Sequence, residues 1–272
     1  MKRYHTLSSQ ERKIILEKAT EMPHTGKYNA FELQGVYLCY QCDAPLYLSS
    51  DKFSSRCGWP SFDDAVLGAV QSQLDADRQR QEIICNHCKA HLGHVFVGEE
   101  LTQKNTRHCV NSISMRFIPA FTKEGFELAI FSAGCFWGVQ HEFKQINGVI
   151  KTLVGYCGGD VVDPTYKEVC TGLTGHAESV EVVFDPETLD YSVLVREFFK
   201  LHDPTQINCQ GADRGTQYRS VIFYLSEKQR RLAEKEAQEM REKDVKVATE
   251  IRPASFFYKA EAYHQDYCDK NL

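Results

Sequence analysis

Short apolar runs separated by polar or turn-forming residues fill the chain between residues 35 and 119. The runs read GVYLCY, PLYLSS, QEIIC and SISMRFI, and the last one alternates polar with apolar positions. Alternation with a period of two residues is typical of a half-buried strand. Before these runs, Ser8 and Glu11 form a capping-box pattern that predicts a helix continuing to about Met22. We therefore predict a mostly β domain over residues 1–120.

After a short linker, predicted at residues 121–127, the apolar runs alternate between strand and helix patterns. The predicted order is a strand at 128–133, a helix at 136–146, strands at 149–156 and 179–184, a helix at 192–201 and a strand at 218–225. This β-α-β-β-α-β order is that of ferredoxin-like α/β plaits. A charged amphipathic helix follows Ser226, and Val245, Val247 and Thr249 indicate one more strand. We therefore predict an α+β second domain over residues 128–272.

Composition narrows the class of protein. The 272 residues are 42% hydrophobic and 25% charged, as in ordinary globular domains, and no apolar run approaches the ~20 residues of a membrane helix. The net charge of −5 disfavours nucleic-acid binding. The N-terminus lacks the apolar core of a secretory signal, and eleven cysteines suit a reducing compartment, so we expect a cytoplasmic protein with metal-binding or redox thiols.

Four of the cysteines form two CxxC pairs in the β domain, Cys39 with Cys42 and Cys85 with Cys88. Two residues between thiolates allow both sulfur atoms to bind one tetrahedral ion, and two such pairs predict a Cys₄ zinc site. A redox CxxC is the alternative, but that motif normally opens a helix, which neither pair does. A site with four protein ligands has no open position, so we predict one structural zinc ion.

Two further cysteines of this domain, Cys57 and Cys109, lie in the segments SSRCGWPSF and NTRHCVNS. Arg107 and His108 precede Cys109, and nearby positive charge lowers the pKa of a thiol. His91 and His94, in HLGHVF, are potential proton donors.

GWPSF, HLGHVF and RHCVNS, together with the CxxC pairs, closely resemble the methionine sulfoxide reductase B family over nearly all of residues 1–120. The resemblance implies that Cys109 attacks the sulfoxide, that Cys57 is the resolving thiol and that Trp59 lines the methyl pocket. It also implies positions that supply protons or bind substrate: His94, to which we assign a catalytic role, and His91, Arg107 and Asn111. Where many relatives carry an acidic residue this chain has Gly98, and the sequence leaves open whether Glu99 or Glu100 replaces it.

The second domain has its own candidate nucleophile. Cys135, in SAGCFWGV, lies at a predicted helix N-terminus, where unpaired N–H groups favour a thiolate. Glu178 begins an apolar strand, and an apolar environment raises the pKa of a carboxyl group so that it can act as a general acid. The loop GADRGTQYRS supplies Asp213 and Tyr218.

With DPTYKEVCTG, these motifs resemble the methionine sulfoxide reductase A family from about residue 128 to the C-terminus. The resemblance implies that Cys135 is the nucleophile and that Glu178 protonates the sulfoxide oxygen. It further implies the substrate-binding residues: Tyr166 and Tyr218 for the oxygen, Asp213 for positioning, and Phe136 and Trp137 for the S-methyl group.

The resemblance does not identify the resolving thiol of this domain. Many relatives carry resolving cysteines on a glycine-rich tail, whereas the last thiol of this sequence is Cys268, in HQDYCDKNL. We favour Cys268, near a chain end that we expect to be mobile. Cys157, Cys170 and Cys209 are the alternatives.

The two resemblances imply one chain that reduces both epimers of methionine sulfoxide, free or in oxidised proteins. Each cysteine sulfenic acid would become a disulfide, which an external dithiol, expected to be thioredoxin, would reduce. Such an enzyme would repair proteins after oxidative damage. A nucleic-acid-binding zinc ribbon and a thiol-based redox sensor are the alternatives from other classes, and we expect neither a nucleic acid nor a membrane as partner.

Overall fold

A computed structural model describes residues 3–75, 79–122 and 125–271. By its internal contacts the chain divides into two compact units with the boundary between Pro119 and Ala120. The two-domain organisation is therefore confirmed.

The first unit, Arg3–Pro119, is mostly β as predicted. Its elements are α1 Ser9–Ile15, β1 Gly35–Cys39, β2 Pro45–Leu48, β3 Lys52–Phe53, β4 Ser61–Phe62, β5 Val70–Leu74, β6 Gln81–Cys85, β7 His91–Val97, β8 Thr106–Val110 and β9 Met115–Pro119. They form two antiparallel sheets with the strand orders β2-β1-β9 and β3-β4-β8-β7-β6-β5. Phe62 stacks on Tyr47 and meets Tyr37 edge-on, so buried aromatic rings join the two sheets.

Two local predictions for this unit are wrong. Helix α1 has the predicted Ser8–Glu11 capping box but ends at Ile15, and Lys18 takes a left-handed φ of 62°. The chain leaves the helix early and buries Glu21, which accepts hydrogen bonds from the N–H groups of Ser112 and Ile113. Residues 112–114 consequently form a 3₁₀ turn with buried serines, and strand β9 begins only at Met115.

The second unit, Ala120–Leu272, is the predicted α+β domain. Its elements are β10 Glu127–Ala133, α2 Phe136–Lys144, β11 Val149–Cys157, α3 Tyr166–Cys170, β12 Ala177–Phe184, α4 Tyr191–Leu201, β13 Cys209–Gln210, β14 Asp213–Arg214, β15 Ser220–Tyr224, α5 Glu227–Glu242, β16 Glu250–Pro253, β17 Tyr258–Lys259 and α6 Tyr267–Asn271. The main sheet has the order β16-β15-β10-β12-β11-β17. Its four central strands are antiparallel and have the order of a ferredoxin-like plait.

Helices α2 and α4 bury their apolar faces against this sheet, where Phe131 of β10 stacks on Phe143 and Phe198. Helix α5 follows Ser226 as predicted, and the Ser226 side chain caps it by accepting from the Gln229 N–H. The strand predicted around Val245, Val247 and Thr249 is wrong, because the strand that pairs with β15 is Glu250–Pro253. At the start of the unit, Leu128 N–H donates to Ala120 O and Phe121 pairs with Glu127. The bounds 1–120, 121–127 and 128–272 stay a prediction.

Candidate active sites and metal centre

The four cysteines of the CxxC pairs converge at the ends of strands β1 and β6. Their Sγ atoms all lie within 4.8 Å of one another, with Cys39 3.5 Å from Cys88 and Cys42 3.7 Å from Cys85. Both turns have the same hydrogen-bonding pattern, in which the N–H four residues after the first cysteine donates to that cysteine's carbonyl oxygen. A tetrahedral ion with bonds of about 2.3 Å requires sulfur–sulfur distances of about 3.8 Å. The cluster therefore has the dimensions and the donor chemistry of a Cys₄ metal site.

Cys109 lies on β8 between β4 and β7, and β7 carries the candidate site residues His91 and His94. In the sheet register it pairs with Ser61 of β4 on one side and with His94 of β7 on the other. The Cys57 sulfur lies 3.7 Å from the Cys109 sulfur and 3.0 Å from the Ser55 hydroxyl. The structure thus brings together the two cysteines of this domain that lie outside the metal cluster.

The two thiols ionise as a pair. The hydrogen bond between their sulfur atoms lowers the pKa of Cys57 to about 4 and raises the pKa of Cys109, so the pair holds one thiolate and one thiol at neutral pH. The Arg107 guanidinium acts on Cys109 in the opposite sense and lowers its pKa. Movement of the shared proton to Cys57 would leave the negative charge on Cys109.

Arg107 is held by the acidic residue that the sequence left undecided. Its guanidinium makes a bidentate ion pair with Glu99, at 2.7 and 2.8 Å, and lies 4.3 Å from the centre of the Phe96 ring. Such fork-shaped pairs fix the orientation of the guanidinium plane. Glu99, rather than Glu100, is therefore the acidic partner of Arg107.

The two histidines are buried, and each contacts a carboxylate. His94 Nε2 lies 2.8 Å from Asp75, while His91 Nδ1 lies 2.7 Å from Glu82. The imidazole rings are 5.7 Å apart. Sequence reasoning missed both carboxylates, although a glutamate inside the apolar run QEIIC is a signal that could have identified Glu82.

Trp59 and Asn111 are positioned through Glu21. The Trp59 indole N–H donates to the Glu21 carbonyl oxygen, and the Asn111 side-chain oxygen accepts from the Glu21 N–H. The Asn111 amide nitrogen donates to the Leu92 carbonyl, so in this structure its side chain is engaged with the backbone. Beside Trp59 opens a cavity of about 530 Å³ that Phe31, Lys52, Phe53 and Arg56 help to line.

Cys135 is the N-cap residue of α2 in the second unit. Burial raises the pKa of its thiol to about 11, although the N–H groups of Trp137 and Gly138 in the first helical turn lower it. The predicted effect of the helix N-terminus is therefore present, but desolvation outweighs it and Cys135 is a thiol in the substrate-free site.

Glu178 lies beside Cys135 because β12 neighbours β10, the strand that leads into α2. Its carboxylate accepts a hydrogen bond of 3.1 Å from the N–H of Phe136, the residue that follows Cys135. Glu178 is 2% exposed, and burial raises the pKa of its carboxyl group to about 7. Near neutral pH a substantial fraction of Glu178 is therefore protonated.

The polar residues predicted to orient the substrate are electrostatically linked to Glu178. Burial and the charges of Glu178 and Asp213 raise the pKa of Tyr218 to about 12, and burial, the Cys170 thiol and Glu178 raise that of Tyr166. Asp213 is exposed on β14 and also raises the pKa of Glu178. Glu178 therefore interacts electrostatically with both tyrosines and with Asp213.

The indole ring of Trp137 is fixed by His264 and Tyr267, two C-terminal residues that sequence reasoning did not assign to the site. Trp137 stacks on Tyr267, with ring centres 3.7 Å apart, and its indole N–H donates to His264 Nδ1. Glu261 accepts hydrogen bonds from the Tyr166 N–H and the Tyr156 hydroxyl. The aromatic run AYHQDY was the available signal.

The same segment carries Cys268, which the structure places in α6 rather than on a loose tail. Lys144 of α2 pairs with Asp266 and Asp269, and the Gln140 side chain accepts from the Asp266 N–H. The expectation that few contacts restrain this end is wrong. The stacking of Trp137 on Tyr267 nevertheless places α6 beside the first turn of α2, which begins after Cys135.

The other three cysteines of this unit differ in accessibility. Cys157 is fully buried on β11 and contacts Ser255, whereas Cys170 is exposed at the end of α3. Cys209 is half-buried on β13, and the next residue, Gln210, packs against Gly134 beside Cys135.

Two cysteine-centred sites on unrelated folds define a thiol-dependent oxidoreductase. Residues 127–272 match the family model described as peptide methionine sulfoxide reductase, and residues 7–119 match the SelR domain model. The chain belongs to the peptide methionine sulfoxide reductase family and carries a SelR domain N-terminal to the family's domain.

Individual relatives resemble the second domain. The MsrA of Methanothermobacter thermautotrophicus is 53% identical over 149 residues, which are 54% of this chain and 88% of the relative. A peptide methionine sulfoxide reductase of Fragaria ananassa is 53% identical over 148 residues, 54% of this chain and 78% of the relative. The crystal structure of reduced Mxr1 from Saccharomyces cerevisiae, 38% identical, aligns with a TM-score of 0.53 over 56% of this chain and 88% of that chain. Within the described residues, no helix is both long and apolar enough to cross a bilayer.

Proposed function

We propose that the chain reduces both epimers of methionine sulfoxide to methionine, the second domain acting on the S epimer and the first on the R epimer. The sulfur of methionine sulfoxide is a stereocentre, and one reductase type serves each epimer. The contact of the Glu178 carboxylate with the N–H next to Cys135 carries the proposal, since it pairs a nucleophile with an acid at one point. Consumption of the separated S and R sulfoxides by the intact chain tests it.

In the second domain, Cys135 attacks the sulfoxide sulfur while Glu178 gives its proton to the oxygen. The thiol supplies the electron pair, the sulfur–oxygen bond breaks, and the products are methionine and a cysteine sulfenic acid. The pKa of about 7 supports this role of Glu178, because a general acid works best when its pKa lies near the working pH. Tyr166 and Tyr218 orient the oxygen, Asp213 positions the substrate, and Phe136 and Trp137 enclose the methyl group.

In the first domain, Cys109 is the nucleophile and Cys57 the resolving thiol. The sulfur–sulfur distance of 3.7 Å supports this assignment, because condensation of the Cys109 sulfenic acid with the Cys57 thiol needs only a short approach and releases water. His94 acts as the proton donor. Trp59, His91, Arg107 and Asn111 form the substrate site.

Turnover requires that an external dithiol reduces each disulfide by exchange and is itself oxidised. We assign this role to thioredoxin. In the second domain the disulfide joins Cys135 to Cys268, an assignment that the packing of α6 against α2 supports. The substrates are free or protein-bound methionine sulfoxide, and the biological role is repair of oxidised proteins. Eleven cysteines, none of them in a disulfide among the described residues, accord with a cytoplasmic location.

The metal of the first domain is one structural zinc ion held by Cys39, Cys42, Cys85 and Cys88. When bound, zinc would tie the turn after β1 to the turn after β6. Three of the four cysteines are buried, so without a metal ion their thiolates would lie close together with no opposite charge to balance them. The first catalytic domain comprises residues 1–120 and the second residues 128–272, with a linker at residues 121–127.

A further inference from the structure

The interior of the first domain contains a carboxylate that the reaction described above does not use. Glu82, on β6, has no exposed surface. One of its carboxylate oxygens accepts from Lys18 Nζ and Gln73 Nε2, each at 2.8 Å, and the other lies 2.7 Å from His91 Nδ1. A buried carboxylate is costly unless it is paired, and here Lys18, Gln73 and His91 together satisfy both of its oxygens.

The ionisation of Glu82 follows from these contacts. Burial raises the pKa of Glu82, but the hydrogen bonds from Lys18, Gln73 and His91 outweigh it, and the net pKa is below the usual value. Glu82 is therefore an anion at neutral pH. As an anion it can only accept, so the proton in its bond to His91 resides on Nδ1.

The other nitrogen of His91, Nε2, has no hydrogen-bond partner among the residues that the structure describes. His91 is 2% exposed, and its Nε2 atom is buried. The nearest ring is that of His94, which pairs across the sheet with Cys109. Because burial lowers the pKa of His91 against the effect of Glu82, Nε2 carries no proton in the substrate-free site. An unprotonated nitrogen cannot donate to a sulfoxide oxygen, which is itself an acceptor.

We propose that Glu82 is a positioning residue that makes His91 a hydrogen-bond donor for the sulfoxide oxygen of the R epimer, by holding Nδ1–H and balancing the charge gained when Nε2 takes up a proton. This inference rests on the proposed function and adds a residue that acts through His91. A carboxylate that fixes one imidazole nitrogen both orients the ring and stabilises the imidazolium. Proton uptake at Nε2 then accompanies substrate binding, and the cationic ring stabilises the oxygen while Cys109 attacks.

The charged groups around His91 determine whether each substitution raises or lowers the pKa of His91. Among the described residues, Glu82 on β6, Lys18 after α1 and His94 on the same strand act on His91 directly. Asp75 beyond β5 contacts His94, and Cys109 on β8, with Arg107 acting on its thiol, pairs with His94 across the sheet. Only the protonated form of His91 is competent, so R-sulfoxide reduction falls as pH rises through the pKa of His91 in the complex. A change that lowers this pKa moves the alkaline limb of the rate profile to lower pH.

Glu82→Gln retains an acceptor for Nδ1–H but removes the negative charge. Loss of an opposite charge at this distance lowers a pKa by about 1–3 units, so the alkaline limb of kcat should move down by about that much. At pH 8 kcat for the R epimer should fall at least about tenfold, with a smaller change in KM. Reduction of the S epimer by the same chain reports enzyme concentration and should not change.

Lys18→Met should shift the alkaline limb of the rate profile in the opposite direction. Because the Lys18 side chain is exposed, this variant keeps the proposal testable if Glu82→Gln fails to fold. Because Lys18 disfavours a proton on His91, its removal should move the alkaline limb to higher pH. Gln73→Met is the matched control, since it removes a hydrogen bond to the same carboxylate oxygen without changing charge and should leave the limb in place.

Nitrogen NMR of the intact chain, with the His91 signals assigned by their loss in His91→Asn, should show a proton on Nδ1 and none on Nε2 before substrate is added. An alkaline limb that does not move in Glu82→Gln, or that moves down in Lys18→Met, overturns the role of Glu82. Failure of the unmodified chain to reduce the R epimer would instead overturn the proposed function.

Discussion

The sulfur atoms of Cys57 and Cys109 lie 3.7 Å apart although 52 positions separate the residues in sequence. A disulfide requires about 2.05 Å between sulfur atoms, so a small side-chain movement suffices to join them. The second domain differs, because its candidate resolving thiol lies in a helix anchored by ion pairs. The two halves of the chain should therefore recycle at different rates.

For the first domain, Cys57→Ser should leave one stoichiometric burst of methionine from the R sulfoxide and then stop thioredoxin-supported turnover. The Cys109 sulfenic acid forms but lacks the thiol that lies 3.7 Å from it in the unmodified chain. Rapid-quench measurement of methionine gives the burst amplitude. Cys170→Ser, an exposed thiol in the other domain, is the control and should leave R turnover intact. Continued rapid cycling of Cys57→Ser would show that another thiol resolves Cys109.

For the metal centre, freshly purified protein should contain one zinc per chain, and Cys42→Ser should unfold or destabilise the first domain. One of the four thiolates is lost at a site where two of the remaining three, Cys39 and Cys85, are buried. Elemental analysis and thermal unfolding give the two readouts. Reduction of the S sulfoxide should persist, because the cluster lies wholly within the first unit. Purified protein without zinc would contradict the assignment.

For the acid of the second domain, Glu178→Gln should slow reduction of the S sulfoxide by about 10²–10⁴, the typical worth of a general acid. The neutral side chain keeps its shape and can still accept from Phe136 N–H, so folding should be preserved. Because Glu178 must be protonated to act, reduction of the S sulfoxide should fall as pH rises through the Glu178 pKa of about 7. The variant should no longer show this pH dependence. Single-turnover rates between pH 5 and 9 test both effects, and a loss below about threefold would place the proton source elsewhere.

For recycling of the second domain, Cys268→Ser should retain the methionine burst from the S sulfoxide but slow turnover by tenfold or more. Peptide mapping after one turnover should find Cys135 joined to Cys268. Lys144→Met removes the ion pairs that hold α6 and should accelerate formation of this disulfide if release of the helix limits it. Cys209 is the main alternative, because its neighbour Gln210 packs against Gly134 beside Cys135. A peptide in which Cys135 is joined to Cys209 would show that Cys209 is the resolving thiol instead.

Division of labour is tested by the two nucleophiles. Cys109→Ser should abolish reduction of the R sulfoxide alone and Cys135→Ser that of the S sulfoxide alone, since each site is built from residues of one unit. Activity is followed with each purified epimer. Loss of both activities from either substitution would contradict independent domains.

The sequence by itself determined the two domains, the β-α-β-β-α-β order of the second, and the cysteine clusters. Strand and helix periods are local signals, and the spacing of a CxxC pair specifies its geometry without reference to the rest of the fold. The early end of α1 at Ile15 was not predictable in this way. It depends on the burial of Glu21 against Ser112, more than ninety positions away.

Only the tertiary structure decided which charges face the reacting groups. It selected Glu99 as the partner of Arg107, placed Glu82 behind His91, and packed His264 and Tyr267 against Trp137. It also decided the protonation state of Cys135, because burial raises the pKa of its thiol more than the helix N-terminus lowers it. Desolvation and long-range contacts set these properties, and neither is encoded in the spacing of residues along the chain.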